Sequence, residues 1–585
     1  MKKPKPINPG IAKLQEKGSK IFKEDEKFLP ALSLIKATQT IKKIKDKKKP
    51  FVTIINSFST HIPGHCHLDV LGRKLKESLE KRGFNVWYCN IGAAICDGIA
   101  MGHFGMRYSL PSRELITDQI ESIICAHPPD GWIGIGNCDK IVPGMLKAMV
   151  RLNIPSLYLS GGPMLAGKDN TDLISVFEGV GAFKSGRISK KELLELTENS
   201  CPTCGSCAGL FTANSMNCLA EVLGLALPQN GTIPAAVWKD KEKGIWEINP
   251  ERLNLVEKAA QTISYLIKNK IRPLDILTRE SIDNAFLVDL AMGGSTNTIL
   301  HLIALALEAK IKYPLKRIDW LSRKTPTICK LSPSRKEIHI EDLHKVGGIP
   351  AILKALSKYT SAPLVLETKT VTGKTLKDYI EKAPEPDGDI IRVKDKVFSK
   401  TGGLAILFGN LAPEGAVVKT AGVGKEMLNF EGKAVCFNEE DKATKAILER
   451  KIKDGQVVVI RYEGPRGGPG MPEMLGPTSA ISGTKIKAAL ITDGRFSGGT
   501  RGLAVGHISP EAALSGPIAI VKNGDLIRID VEKRKIDILI SQREFKERLK
   551  KLKPFEPKVK GGWLGRYCQN VLSASFGAVM KNTIY

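Results

Sequence analysis

Between residues 50 and 163, short apolar runs alternate with amphipathic helical patterns. This alternation constrains the fold more tightly than any other feature of the 585-residue chain. Residues 51–55 read as a buried strand, broken by a turn-rich stretch from Asn56 to Gly64. A helix pattern follows over 68–81, and Gly83 ends it. Residues 84–89, 131–136 and 154–159 read as three more strands. Between the second and third, Ser112 can cap a helix that carries Leu115, Ile116, Ile120, Ile123 and Ile124 on one face. Strands separated by helices predict a mostly parallel sheet covered on both faces. Open sheets of this kind bind ligands at the carboxyl ends of their strands. The polar clusters at 61–67, Asp97, 138–140 and 160–163 all fall at such ends, so they are expected to converge on one crevice.

The chain is too long for a single core. Around residues 380–396 the pattern changes, and a domain boundary is expected there. An α/β domain over 1–385 would then be followed by a β-rich domain over 386–545 and a helical tail over 546–585. The second domain shows short strand patterns at 404–408, 416–420, 434–437, 457–461, 488–492, 518–521 and 526–529. With few helical inserts, these suggest a barrel or a sandwich. A charged helix is expected over 546–553.

Apolar residues make up 42% of the chain and charged residues 25%, as in ordinary globular proteins. There is no apolar run of roughly eighteen residues, which argues against a membrane span, and residues 1–30 lack the apolar core of a secretion signal. Twelve scattered cysteines then imply reduced thiols in a cytoplasmic setting. The net charge of +27 raises the question of a nucleic-acid partner. Fifteen lysines against five acids in the first fifty residues supply part of it. Elsewhere Lys is spread thinly, few aromatics are interleaved and no nucleic-acid-binding signature appears, so no such partner is expected.

Chemistry-bearing residues cluster in a few loops. Cys201-Pro-Thr-Cys-Gly-Ser-Cys207 spaces three thiols evenly, a start on an iron–sulfur or metal site. No second Cys pair at matching spacing follows, so a ligand from elsewhere is needed. An apolar helix is expected over 207–227, placing the loop at a helix N-terminus that favours thiolates. Asn137-Cys138-Asp139-Lys140 sets soft sulfur beside hard oxygen, suited to iron and to magnesium respectively. Asp97, before Gly98, fits a turn or a ligand. Met292-Gly-Gly-Ser-Thr-Asn suggests either an anion contact at a helix N-terminus or a packed turn. The long Gly/Pro-rich loop after 457–461 offers Glu463 and Glu473, either able to reach a metal. Asp493-Gly-Arg-Phe-Ser497-Gly-Gly-Thr500 flanks its serine with small residues that allow close approach. No Gly-x-Ser-x-Gly elbow exists, so a hydrolase triad has no support. His65, His67 and His507 fit core or supporting roles better than metal ligation.

Taken together, these motifs resemble the dihydroxy-acid dehydratases. Close relatives of Asn56-Ser-Phe, Asp97-Gly-Ile-Ala-Met-Gly-His, Tyr108-Ser-Leu-Pro-Ser-Arg-Glu-Leu and Asn137-Cys-Asp-Lys occur in that family. So do relatives of residues 201–214, Met292-Gly-Gly-Ser-Thr-Asn, Gly464-Pro-Arg-Gly-Gly-Pro-Gly-Met and Thr492-Asp-Gly-Arg-Phe-Ser-Gly-Gly-Thr. The likeness runs from about residue 31 into the C-terminal tail. It implies an iron–sulfur cluster on Cys138 and Cys207, and Mg²⁺ on Asp97, Asp139, a carbamylated Lys140 and Glu473. It also implies Ser497 as the base, small dihydroxy acids as substrates in valine and isoleucine biosynthesis, and a homodimer. Carbamylation would turn the repelling Lys140 ammonium into a carboxylate ligand. Members with a [2Fe–2S] cluster take a third cysteine near residue 64, where this chain has Gly64. The pattern therefore resembles the [4Fe–4S] branch, with Cys204 or Cys66 as third ligand and Cys201 structural. Sugar-acid and 6-phosphogluconate dehydratases, which share the superfamily, are the alternative.

Overall fold

The computed structural model describes residues 8–581 apart from Asp25; Lys2, Lys3 and Lys5 of the Lys-rich opening, and Asp25, lie outside the described residues. Strands β1 (Phe51–Asn56), β2 (Asn85–Asn90), β3 (Gly131–Gly136) and β4 (Ser156–Ser160) form a wholly parallel sheet in the order β2-β1-β3-β4. Every residue of β1 and β3 is buried, as a parallel sheet covered on both faces requires. The connections are the helices Leu68–Lys81, Ser109–Ala126 and Ile141–Leu152. The second starts three residues before the expected cap at Ser112. Pro111 falls in its first turn, where the missing N–H costs nothing.

Behind β4 the helices Thr212–Val222, Arg279–Met292 and Asn297–Glu308 are buried along almost their whole length. A two-stranded hairpin, β5 (Ala236–Asp240) with β6 (Ile245–Ile248), lies between the first two in sequence. The helix expected from 207 begins only at Thr212. The Asn214 side chain captures the carbonyls of Cys207 and Gly209, and Leu210 N–H bonds Ser332 O at 2.8 Å. These contacts hold 207–211 as a loop, so Cys207 is not at a helix N-terminus.

The C-terminal region holds an eight-stranded mixed sheet. It comprises β7 (Ala405–Leu407), β8 (Gly415–Val418), β9 (Asn429–Phe437), β10 (Gln456–Ile460), β12 (Ala489–Thr492), β14 (Ala504–Ser509), β15 (Leu526–Asp530) and β16 (Lys535–Ile538). Its order is β16-β15-β9-β10-β12-β14-β8-β7, with the ladders from β9 to β14 parallel and the rest antiparallel. Phe408 beyond β7 exchanges backbone hydrogen bonds with Arg534 and Ile536, which nearly closes the sheet into a barrel. The strand expected at 518–521 is instead a 3₁₀ turn, Pro517–Ile520. Pro517 lacks the N–H a ladder needs and fixes the turn's φ. Helices Glu440–Leu448 and Gly476–Thr484 make the region more helical than its strand-rich pattern suggests. The charged helix spans Gln542–Lys550, somewhat earlier than expected.

A separate short ladder pairs β11 (Glu473–Met474) with β13 (Arg495–Phe496), in register Glu473 to Arg495. In the tail, Tyr567, Val571 and Ala578 pack against Leu110, Leu300 and Met471, uniting both regions. Arg113, fully buried, donates to the carbonyls of Gly577 and Ala578. Among the described residues, no helix is long and apolar enough to cross a membrane.

Glu221 is buried in the N-terminal core and accepts from the N–H groups of Gln229 and Gly231 at 2.7 and 2.6 Å. Burial pushes its carboxyl up to about 8, against the pull of those amides and Arg252. The folded protein therefore keeps a proton that the unfolded chain releases near pH ~4. Stability from this group should be full below that pH and fall, by on the order of a few kcal/mol, up to pH 8. Glu221→Gln should flatten this fall in urea denaturation curves measured at pH 5, 7 and 9.

Candidate active site

The loops at the carboxyl ends of the parallel strands do converge, and the short β11–β13 ladder meets them. Asp97 follows β2, Asp139 follows β3 and Glu473 opens β11. One carboxylate oxygen from each lies within 4.8 Å of the others. At their centre is the fully buried Lys140 ammonium, 2.6 Å from Asp97, 3.5 Å from Asp139 and 3.8 Å from Glu473. Arg495, also fully buried, donates to Glu473 at 2.9 Å and lies 3.8 Å from Asp97. Ser109 Oγ donates to Asp97 at 2.7 Å and Asn297 Nδ2 to Glu473 at 2.8 Å.

This crowding sets the electrostatics. Burial pushes Glu473 up to about 7 despite Arg495 and Lys140, and it raises Asp139 as well. At Asp97 burial acts the same way, but Lys140 and Arg495 outweigh it and hold the carboxyl below its ordinary value. Asp97 Oδ1 is buried with no hydrogen-bond partner. Several carboxylate oxygens, one of them unpartnered, form the hard-oxygen donor set that Mg²⁺ takes. Of the two acids in the Gly/Pro-rich loop, only Glu473 reaches this cluster. Glu463 pairs instead with Arg107 and Lys558, each at 3.1 Å.

Beside the carboxylates lies a pocket that Cys96, Cys138, Cys207 and Ser497 also line. Cys138 N–H donates to His65 Nε2 at 3.1 Å, while His65 Nδ1 donates to Ser57 O at 2.6 Å. Burial lowers the His65 pKa to about 4, so the neutral ring can serve as this acceptor. His67 is spent on Gly161 O at 2.9 Å. The two histidines lie in the turn before the helix, not on an extended segment. Burial raises the Cys138 and Cys207 thiols well above their usual range. Buried thiols among carboxylates are costly as free thiolates and suit a cationic cluster that neutralises them. Cys204 and Cys66 do not line this pocket.

Ser497 is placed by the same ladder that brings Glu473: its N–H donates to Met474 O at 3.1 Å. Its loop is pressed against the neighbouring helix, where a Cβ on Gly499 would come within 2.2 Å of Ile174. Lys419 donates to Gly498 O at 3.1 Å and fixes the next peptide. The Gly293 turn is a packed one. Gly293 adopts φ +62°, and Ser295 beyond it bonds Thr212 at 2.9 Å. Asp493 is structural, accepting from the N–H groups of Tyr462, Glu463 and Ala512.

Sequence reasoning missed Ser109, Asn297, Arg495 and Cys96. For Arg495 a signal existed, because residues 495 and 497 lie on one side of an extended segment. Ser109→Ala deprives a buried carboxylate of a donor and should lower stability by about 1.5–3 kcal/mol in chelator, read by urea denaturation.

Residues 49–379 match the Dihydroxy-acid/6-phosphogluconate dehydratase N-terminal family and residues 389–578 its C-terminal counterpart. The chain is 56% identical over 547 residues to a protein of Aquifex aeolicus (strain VF5) named dihydroxy-acid dehydratase, covering 92% of this chain and 95% of that one. A protein of Hydrogenobaculum sp. (strain Y04AAS1) with the same name is 54% identical over 545 residues, with the same coverage. Matched along nearly its whole length, with the loops of both regions meeting at one pocket, the chain belongs to the dihydroxy-acid/6-phosphogluconate dehydratase family of hydro-lyases.

Proposed function

We propose that this protein dehydrates 2,3-dihydroxy-3-methyl carboxylic acids, 2,3-dihydroxyisovalerate and 2,3-dihydroxy-3-methylvalerate, to 2-keto acids in valine and isoleucine biosynthesis. The observation that carries the choice of substrate is the mixed lining of the pocket. Leu173, Ile174, Phe177, Phe211 and Leu475 give it an apolar wall in addition to its thiols, carboxylates and Ser497, and Cys207 packs against the Ile174, Phe211 and Leu475 cluster. A branched alkyl group buries favourably there, whereas the hydroxyls of a sugar acid would lose their hydrogen bonds to water without replacement.

Asp97, Asp139, Glu473 and a carbamylated Lys140 are the residues to hold Mg²⁺. Cys138, Cys207 and one further thiol are those to hold the iron–sulfur cluster, [4Fe–4S] in preference to [2Fe–2S]. When bound, these groups supply Lewis acidity at the C3 hydroxyl, and at the carboxylate and C2 hydroxyl. Ser497 Oγ takes the C2 proton. A serine hydroxyl is a weak base, so it acts as the alkoxide, which positive charge beside it favours. The C2–H electrons form the C2–C3 double bond, the C3 hydroxyl leaves with its bonding pair, and the resulting enol tautomerises to the 2-keto acid. The apolar wall orients the C3 substituents and excludes water. His65, Ser109, Arg495 and Asn297 hold the reacting groups in place. A cytoplasmic homodimer is part of the proposal.

Turnover of 2,3-dihydroxyisovalerate against a C6 aldonate, using anaerobically purified protein, tests the reading. A kcat/KM larger for the former is expected, and preference for the aldonate or for 6-phosphogluconate would overturn it.

A further inference from the structure

We infer that Cys96 is the third sulfur of the cluster site, in place of Cys204 or Cys66; the inference rests on the iron–sulfur reading above. Cys96 and Asp97 end the loop after β2, and Cys138 and Asp139 begin the loop after β3. Each dipeptide gives its carboxylate to the cluster of acids, and both of its residues line the pocket. The site is thus built from two Cys–Asp pairs on strands that flank β1, with Cys207 closing it from the third loop. Cys96 is only partly buried, and its backbone is extended immediately before the short helical turn Asp97–Ala100. It lines one pocket together with Cys138 and Cys207.

The other two candidates face elsewhere. Cys204 is buried in an apolar cluster with Ala235 and Ala236, backed by Trp246 and Ile248 of the β5–β6 hairpin. It does not line the pocket that holds Cys138 and Cys207. Cys66 is exposed, and its thiol donates to Pro63 O at 3.4 Å. The same carbonyl accepts Gly205 N–H at 3.0 Å, which clamps the two loops together, and neither Cys66 nor Cys204 lines the pocket. Nor can a sulfur come from position 64, where a Cβ would lie 2.6 Å from Cys138 Sγ. Cys138 itself occupies that space. On binding, the Cys96 thiol gives its proton to solvent and its sulfur forms a bond to iron. Three thiolates leave one iron of a four-iron cluster without a protein ligand, as a site for a substrate oxygen requires.

The test uses the full-length protein, reconstituted anaerobically with iron and sulfide, as wild type and as Cys96→Ala, Cys96→Ser, Cys204→Ala and Cys66→Ala. Both Cys96 variants should lose most of their iron and sulfide and change the EPR signal of the reduced protein. Cys204→Ala and Cys66→Ala should match wild type. A second measurement needs no variant. Iodoacetamide labelling followed by mass spectrometry should find Cys96 protected with Cys138 and Cys207 in the loaded protein and modified after chelation, while Cys66 is modified in both. Wild-type iron content in Cys96→Ala, or labelling of Cys96 in the loaded protein, would overturn the assignment alone. If wild type itself takes up no iron and sulfide, the iron–sulfur reading falls with it.

Discussion

Ser497→Ala should lower turnover of 2,3-dihydroxyisovalerate by about 10²–10⁴-fold while leaving iron, sulfide and magnesium content unchanged. The size follows from the role proposed for the hydroxyl: it would move a proton in the step that breaks the C2–H bond, and no neighbour can substitute. Glu473 and Asp139 line the same pocket but are committed to the carboxylate cluster, and Lys419 is spent on the Gly498 carbonyl. The substitution removes one oxygen from a partly buried loop held by backbone contacts, the Ser497 N–H to Met474 O and the Thr500 N–H to Ser497 O. Only the Gly499 N–H loses a partner, a 3.3 Å contact to Oγ. Structure and metal loading should therefore survive. A primary isotope effect with C2-deuterated substrate sharpens the test, because it should be full in the variant, whose proton transfer has become slow. Undiminished turnover in metal-replete Ser497→Ala would remove the serine from the chemistry.

The parts of the site legible in the sequence are those carried by local pattern. The strands of the first sheet announce themselves as apolar runs between helices, and the rule that ligands gather at their carboxyl ends brings Asp97 and residues 138–140 together without further information. Glu473 and Ser497 are different. The ladder that delivers them is two residues long on each side, below the length at which alternation can be read, and its register is set by contacts across the whole molecule. The spacing of Arg495 from Ser497 places both on one side of an extended segment, but nothing local pairs Arg495 with Glu473. Cys96 was hidden for another reason: Asp-Gly after it reads as a turn, and a single thiol before a turn carries no pattern. The evenly spaced thiols of 201–207 pose the opposite case. Regular spacing suggests a shared site, yet the loop is neither helical nor extended, Gly205 takes φ +125°, and Cys204 packs with Ala235 and Ala236 while Cys207 lines the pocket. The helix expected from 207 failed because side-chain capture of carbonyls by Asn214 is a tertiary effect that helical periodicity does not report.

Lys140→Met should destabilise the protein by about 3–5 kcal/mol in chelator, since it strands buried carboxylates without their nearest cation. With the ammonium gone, Asp97, Asp139 and Glu473 face Arg495 alone, which bonds directly to Glu473 and stands 3.8 Å from Asp97. Added Mg²⁺ should restore much of this loss, because a divalent ion returns the missing charge to the centre of the cluster. Wild type should respond differently. Its ammonium already balances the acids, so Mg²⁺ must displace a positive charge unless the amine is converted to a carbamate. In that conversion the ammonium first loses a proton, the neutral amine nitrogen attacks CO₂, one C=O bond pair moves onto oxygen as the N–C bond forms, and a second proton leaves, so the side chain changes from +1 to −1. Thermal stabilisation of wild type by Mg²⁺ should consequently be large in bicarbonate and small in bicarbonate-free buffer, and Lys140→Met should show no such dependence. A Mg²⁺ response in wild type that ignores bicarbonate would rule out the carbamate and leave the ammonium of Lys140 as a fixed counter-charge of the site.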